Sequence, residues 1–268
     1  MAEKRLESTQ LPILDDLSVL KVLTLNTGTW IQIEMFSGVD TQNQRALRHR
    51  AASGPPWIIV NTLAAAGANA IDVGAPAAPS SWYYLYIIAD STGVLPTAGL
   101  LSLQLELPYG PGPLLPAGYD LFRRIASVRT DILGQLIEVK KFGQFTLYDE
   151  ISKNLVWTGI VPVVVTPVSL IGSVPVTAER TLLHVELWNN TGAALGFTDI
   201  YSESLGPVPV GPVFTVRATT TFPGTTQVNT VHGWVNTGNN IYIAGTGDAS
   251  SFANIWVLGY WEDMAPAI

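Results

Sequence analysis

Three histidines, His49, His184 and His232, are the first side chains here that could move a proton or hold a metal near neutral pH. A ligand pair on one strand or helix needs a second histidine two or four residues away. None of the three has one. His184 occupies a polar position of an alternating strand and His232 precedes Gly233, so both read as surface or structural groups. Carboxylates occur as neighbours at Asp15-Asp16, Asp149-Glu150 and Glu262-Asp263. Glycoside hydrolysis needs two carboxyl groups facing each other across a sugar. Adjacent residues of a strand point to opposite faces, so these pairs read as solvated turns.

Other common chemistries lack their motifs. No G-x-x-x-x-G-K-[ST] loop or G-x-G-x-x-G turn is present to cradle a phosphate. Gly110-Pro111-Gly112-Pro113 is glycine-rich, but its prolines remove the amides that a cradle uses. A G-x-S-x-G nucleophile elbow is absent. With no cysteine, disulfides, thiolate metal sites and a cysteine nucleophile are excluded. Asn189-Asn190-Thr191 matches a glycosylation sequon and reads as a turn. The expectation is a protein that is not an enzyme and uses no metal and no cofactor.

Two basic clusters remain. Arg45, Arg48, His49 and Arg50 form one, read either as a solvated loop or as a contact for an acidic partner surface. Arg123, Arg124 and Arg129 form the other, in a segment that alternates as a strand. Arg129 and Asp131 fall on one face as a candidate pair. Arg123 and Arg124 leave opposite faces, so one is expected outside and one inside as a structural staple. The inward guanidinium needs planar acceptors, either carbonyls of the Tyr119 turn or the carboxylate of Asp120 or Asp131. Nucleic-acid binding needs a net basic footprint, and the formal charge of −7 argues against it.

The elements that carry these residues have a period of two. Leu101, Leu103, Leu105 and Leu107 alternate with Ser102, Gln104 and Glu106, which predicts a half-buried strand. Ile31 and Ile33 alternate with Gln32 and Glu34, and Leu183, Val185 and Leu187 alternate with His184 and Glu186. Ile241 and Ile243 form a shorter example. Trp82–Ala89 and Ile255–Trp261 are apolar at every position, as in strands between two layers. Turns are marked by Asn26-Thr27-Gly28, Asn190-Thr191-Gly192 and Thr237-Gly238-Asn239-Asn240. Only Ala64–Ala70 and Asp15–Leu23 offer short helices. The prediction is an all-β protein of two β-sandwich or jelly-roll-like units with few short helices. Residues 1–56 are expected to be a docking segment or first strands, 57–150 a first unit and 151–268 a second.

Charge supports an assembled protein. Only 13% of the 268 residues are charged, against about 25% in an average soluble chain. The depletion is deepest after residue 150, where three Lys and Arg and seven Asp and Glu remain. Surfaces buried between subunits lose charge in this way. Asn154–Ala178 is charge-free and long enough to span a membrane, but Pro162, Pro167 and Pro175 break a helix there, so no membrane insertion is expected. Met1–Asp16 is polar and has no apolar core of a signal peptide.

Leu115-Pro116-Ala117-Gly118-Tyr119, followed by Arg123-Arg124-Ile125-Ala126-Ser127-Val128-Arg129-Thr130-Asp131 and Gly134-Gln135, resembles a segment of tailed-bacteriophage virion surface proteins. These are tail fibres, head fibres and capsid decoration proteins. Trp82–Ile88 followed by Thr92-Gly93-Val94, and the apolar end with Gly259-Tyr260-Trp261, also resemble that family. The resemblance covers about residues 57–261; Leu100–Tyr109 departs from it, and residues 1–56 do not align. It implies a virion component, made in the host cytoplasm, exposed on the particle and often a homotrimer. Its partners would be copies of itself and other capsid or tail proteins. It implies no catalytic residue. The alternative is a receptor-binding or lectin-like protein, or less directly a carbohydrate-active enzyme, with Trp82, Tyr109, Trp188 or Trp234 stacking on a host-surface glycan.

Overall fold

The computed structural model describes residues 21–24, 28–34, 36–39, 46–49, 57–106, 110–149, 154–189, 196–201, 215–220, 226–234, 239–245 and 251–262. Every regular element among the described residues is a β-strand, so the protein is all-β and sandwich-like. The largest sheet has nine strands. Its path runs β17 (Thr226–Trp234), β14 (Ala178–Asn189), β19 (Ser251–Glu262), β11 (Phe145–Tyr148), β10 (Val139–Phe142), β1 (Lys21–Thr24), β2 (Trp30–Glu34) and β5 (Trp57–Asn61), with β12 (Asn154–Ile160) also on β19. It therefore runs across the expected boundary at residue 150, because β11 hydrogen-bonds to β19. Strands from residues 1–56 belong to it as well.

Two four-stranded sheets lie against it. One has the order β6 (Ala70–Ile71), β8 (Ala98–Ser102), β7 (Trp82–Ala89) and β9 (Leu121–Arg129). The other has the order β13 (Thr166–Ser169), β18 (Asn240–Gly245), β15 (Gly196–Tyr201) and β16 (Thr215–Thr220). A separate hairpin joins β3 (Phe36–Val39) to β4 (Ala46–His49). One buried cluster unites the three sheets. It holds Ile31 and Ile33 of β2, Leu85 and Ile87 of β7, Val168 of β13, Ile241 and Ile243 of β18, and Leu183, Val185 and Leu187 of β14.

The alternation expected in β2, β14 and β18 is the alternation seen, because each strand has one covered face. β7 is buried on both faces, again as its composition requires. Tyr83, Leu85 and Ile87 face the large sheet, while Tyr84, Tyr86 and Ile88 pack with Ala98, Leu100 and Leu105. The chain after β8 supplies this second cover through Leu105, Leu115 and Tyr119. Gly99 lets the sheets close: a Cβ there would stand 2.3 Å from Val60 Cγ2.

Several expectations fail for local reasons. Residues 64–69 are turns and bends leading into β6 at Ala70, since Asn61 and Asn69 use their amides across the chain, Asn61 N–H to the Asn69 carbonyl and Asn69 N–H to that of Gly99. Of Asp15–Leu23, residues 21–23 are strand and 15–20 lie outside the described residues. The leucine strand ends at Ser102, whose hydroxyl accepts the Gln104 N–H and turns the chain. Leu103 is then exposed, Leu105 is buried, and Leu107 lies outside the described residues. In β19, Ile255 and Val257 are buried but Trp256 and Leu258 only half so, because this part of the sheet is covered on one face.

Candidate functional site

The second arginine cluster sits on β9, the edge strand of its sheet. Both Arg123 and Arg124 are buried, at 2% and 6% exposure, which corrects the expectation of one outward arginine. They do face opposite sides: Arg123 lies opposite Ile87 and Arg124 opposite Tyr86, with an irregularity beside Ile125. Both sides of this sheet are covered, so neither direction leads to water.

The partners of Arg124 come from far along the chain. Its Nε donates to Glu106 Oε1 at 2.7 Å and its Nη1 to Glu262 Oε1 at 3.2 Å. Glu262, which was expected in a solvated turn, is 1% exposed and is the hub of a closed network. Its carboxylate accepts the Ser127 and Thr177 hydroxyls and the Ser127 backbone N–H. Tyr260 donates its hydroxyl to the Ser127 carbonyl at 2.8 Å. Two side chains of β19 thus pair both backbone groups of Ser127 on the open edge of β9, which an exposed edge would leave unpaired. Lys141 Nζ stands 3.7 Å from Glu262 Oε2, an ion pair without a direct hydrogen bond. Tyr86 closes the far side, donating to Glu106 Oε2 at 2.7 Å.

Two cations face two carboxylates here, so this cluster carries no net formal charge. Burial works to raise the Glu262 pKa, but Lys141, Arg124 and the hydroxyl donors outweigh it and hold the carboxyl below its usual range. Burial pulls the Lys141 ammonium down to about 8, with Arg124 adding to the shift and Glu262 opposing it. Burial also raises the phenol of Tyr84 to about 12 and pushes those of Tyr86, Tyr148 and Tyr260 up further. A sealed, charge-balanced cluster holds strands together; it offers a substrate no access.

The remaining predicted residues go elsewhere. The carboxylates on Arg124 are Glu106 and Glu262, in place of the expected Asp120 or Asp131. Tyr119 donates its hydroxyl to the Pro96 carbonyl at 3.0 Å, tying its turn to the β7–β8 connection. Gly118 has φ +88° beside it, and a Cβ there would meet Leu95 at 2.7 Å, so the Gly-Tyr pair is a packing requirement. Arg129 donates to the Gly172 carbonyl, not to Asp131, which caps its own turn by accepting the Leu133 and Gln135 N–H groups. Arg45 and Arg50 lie outside the described residues, and Arg48 is placed by the backbone of β4 alone. Among the described residues no group of three His, Asp or Glu side chains gathers as for a metal.

The uncovered face of β14, β19 and β12 is the other candidate. Cross-strand register sets Trp188, Phe252 and Ile160 in one row and Glu186, Asn254 and Thr158 in the next. His184 and Trp256 follow, with ring centroids 5.3 Å apart. An open depression of about 340 Å³ is lined by Thr158, Gly159, Trp188, Phe252 and Asn254. Of the aromatics expected to meet a sugar, Trp188 is therefore on an accessible face. Trp82 is held inward by Tyr260, edge to face at 5.9 Å, and by the Ile171 carbonyl. Tyr109 lies outside the described residues, as does the side chain of Trp234.

Sequence reasoning missed Glu262, Lys141 and Glu106 inside, and Thr158, Phe252 and Asn254 outside. Strand register brings each set together, and single residue types carry no signal of it. In comparisons with known proteins, no family model matches the chain and no curated protein matches it.

Proposed function

We propose that this chain is a non-enzymatic structural protein of a tailed-phage particle, assembled as a homotrimer on its outer surface as a decoration or fibre protein. The observation that carries this reading is one end of β9. The Asp131-capped turn holds Ile132 and Leu133 at 80% and 74% exposure. Beside Arg129 and Trp82, which grip the Ile171–Gly172 carbonyls, Ile171 is 60% exposed. Apolar side chains on anchored turns lose little entropy when they dock, so they suit an interface. Few charges oppose such contacts in this sequence. The resemblance of the segment at 115–131 to phage surface proteins supports the same reading, and the role of its Arg124 as a packing staple fits a structural protein.

The partners in this reading are further copies of the chain and other capsid or tail proteins. The second reading, a receptor-binding or lectin-like protein, is favoured by the aromatic depression around Trp188. Gold-labelled antibody against the purified chain, applied to particles and viewed by electron microscopy, tests the proposal. Label on heads would support decoration, and label on tails the receptor-binding reading. Particles free of label would overturn both.

A further inference from the structure

We infer that the depression between Trp188 and Phe252 binds a neutral pyranose ring of a glycan. The inference rests on the receptor-binding reading above and deepens it by naming the ligand class. Three observations carry it.

First, among the described residues that line it none is charged, and the neighbouring carboxylate of Glu186, opposite Asn254, stands 3.5 Å from His184. An anionic ligand would meet that carboxylate, while a neutral polyol loses little by entering. Second, the polar floor is a matched pair. Thr158 donates its hydroxyl to Asn254 Oδ1 at 2.7 Å. That bond fixes the amide, and the Asn254 Nδ2 donors and the Thr158 oxygen lone pairs have no protein partner among the described residues. A sugar hydroxyl is both donor and acceptor, so adjacent hydroxyls can use both groups at once. Third, aromatic rings flank the pair. Trp188 and Phe252 are directly opposite across β14 and β19, one row from Asn254. The negative face of an aromatic ring attracts the polarised C–H bonds on the apolar side of a pyranose. Gly159 leaves open space where a side chain would stand. The volume lies at the lower end for small-ligand sites, the scale of one or two rings. Trp256, two residues beyond Asn254 on the same face, would extend the platform for a longer chain.

The test is an array of immobilised neutral and acidic glycans, probed with the full chain and with Trp188→Ala, Asn254→Ala and a distant control, Phe142→Ala. Dense display lets weak single-ring contacts register through avidity. The expected result is retention on neutral hexose or N-acetylhexosamine glycans. Asn254→Ala and Trp188→Ala should each weaken it at least tenfold, and Phe142→Ala should leave it unchanged. Asn254 is partly exposed, so its variant should melt as the parent does, which separates lost contact from lost fold. No retention on any neutral glycan, retention on acidic glycans alone, or retention indifferent to both site variants would overturn the inference. Sedimentation of the same samples reports assembly separately. A trimer that binds no glycan would refute the site and spare the assembly reading, whereas a monomer that binds would do the reverse.

Discussion

β19 treats polar groups in opposite ways on its two faces. Inward, Tyr260 and Glu262 are closed into a network in which hydroxyls, a backbone amide and two cations surround one carboxylate. Outward, Asn254 keeps donors unused beside half-exposed aromatic side chains. A buried carboxylate survives only when its partners are fixed, whereas an outward amide can wait for a ligand. A chain with so few charges places several of the described ones where they join sheets, and leaves large apolar side chains exposed elsewhere among the described residues.

Removing the hub should have the largest effect. Glu262→Ala strands Lys141, takes one of its two carboxylates from Arg124 and unpairs the Ser127 N–H of β9, so it should cost about 3–5 kcal/mol in denaturant unfolding. Arg124→Ala should follow, since Glu262 retains Lys141, Ser127 and Thr177. The pH dependence comes next. The folded-state pKa of Glu262 is lowered, so below its ordinary range the unfolded chain takes up the proton first. Stability should be full above about pH 5 and fall as acid carries pH towards the folded pKa. Melting curves from pH 7 to 3 should show this, with a shallower slope in Glu262→Gln. The smallest effect belongs to Lys141. Its ammonium is buried without a hydrogen bond, so Lys141→Met should change stability by less than about 1 kcal/mol, or raise it. A loss as large as that of Glu262→Ala would mean that the lysine is the true anchor.

The fold was legible where burial is one-sided. Leu183, Val185 and Leu187 carry their period because only one face of β14 is covered. The leucines at 101–107 mislead because a serine-capped turn ends the strand with only Leu101 of them inside it. The arginine segment announces a strand and a staple, but its acceptors are not local. Glu262 lies 138 residues from Arg124, and nothing around it distinguishes it from a solvated carboxylate. An outward face for one of the two arginines was never available, since Leu105, Leu115 and Tyr119 cover the side that the sequence leaves open. On the outer face, Trp188 is conspicuous by type, while Thr158 and Asn254 become neighbours only through the pairing of β12 with β19.

Sedimentation equilibrium of the purified chain at micromolar concentration tests most directly whether this charge-poor exterior with its exposed apolar side chains exists for assembly. The expected mass is three times the 28.8 kDa of one chain. Replacing both Ile132→Asp and Leu133→Asp should return the mass of one chain without lowering the melting temperature, because both side chains stand in solvent. A single-chain mass for the unaltered protein would contradict the assembly reading, and a trimer indifferent to the double replacement would move its interface away from the end of β9.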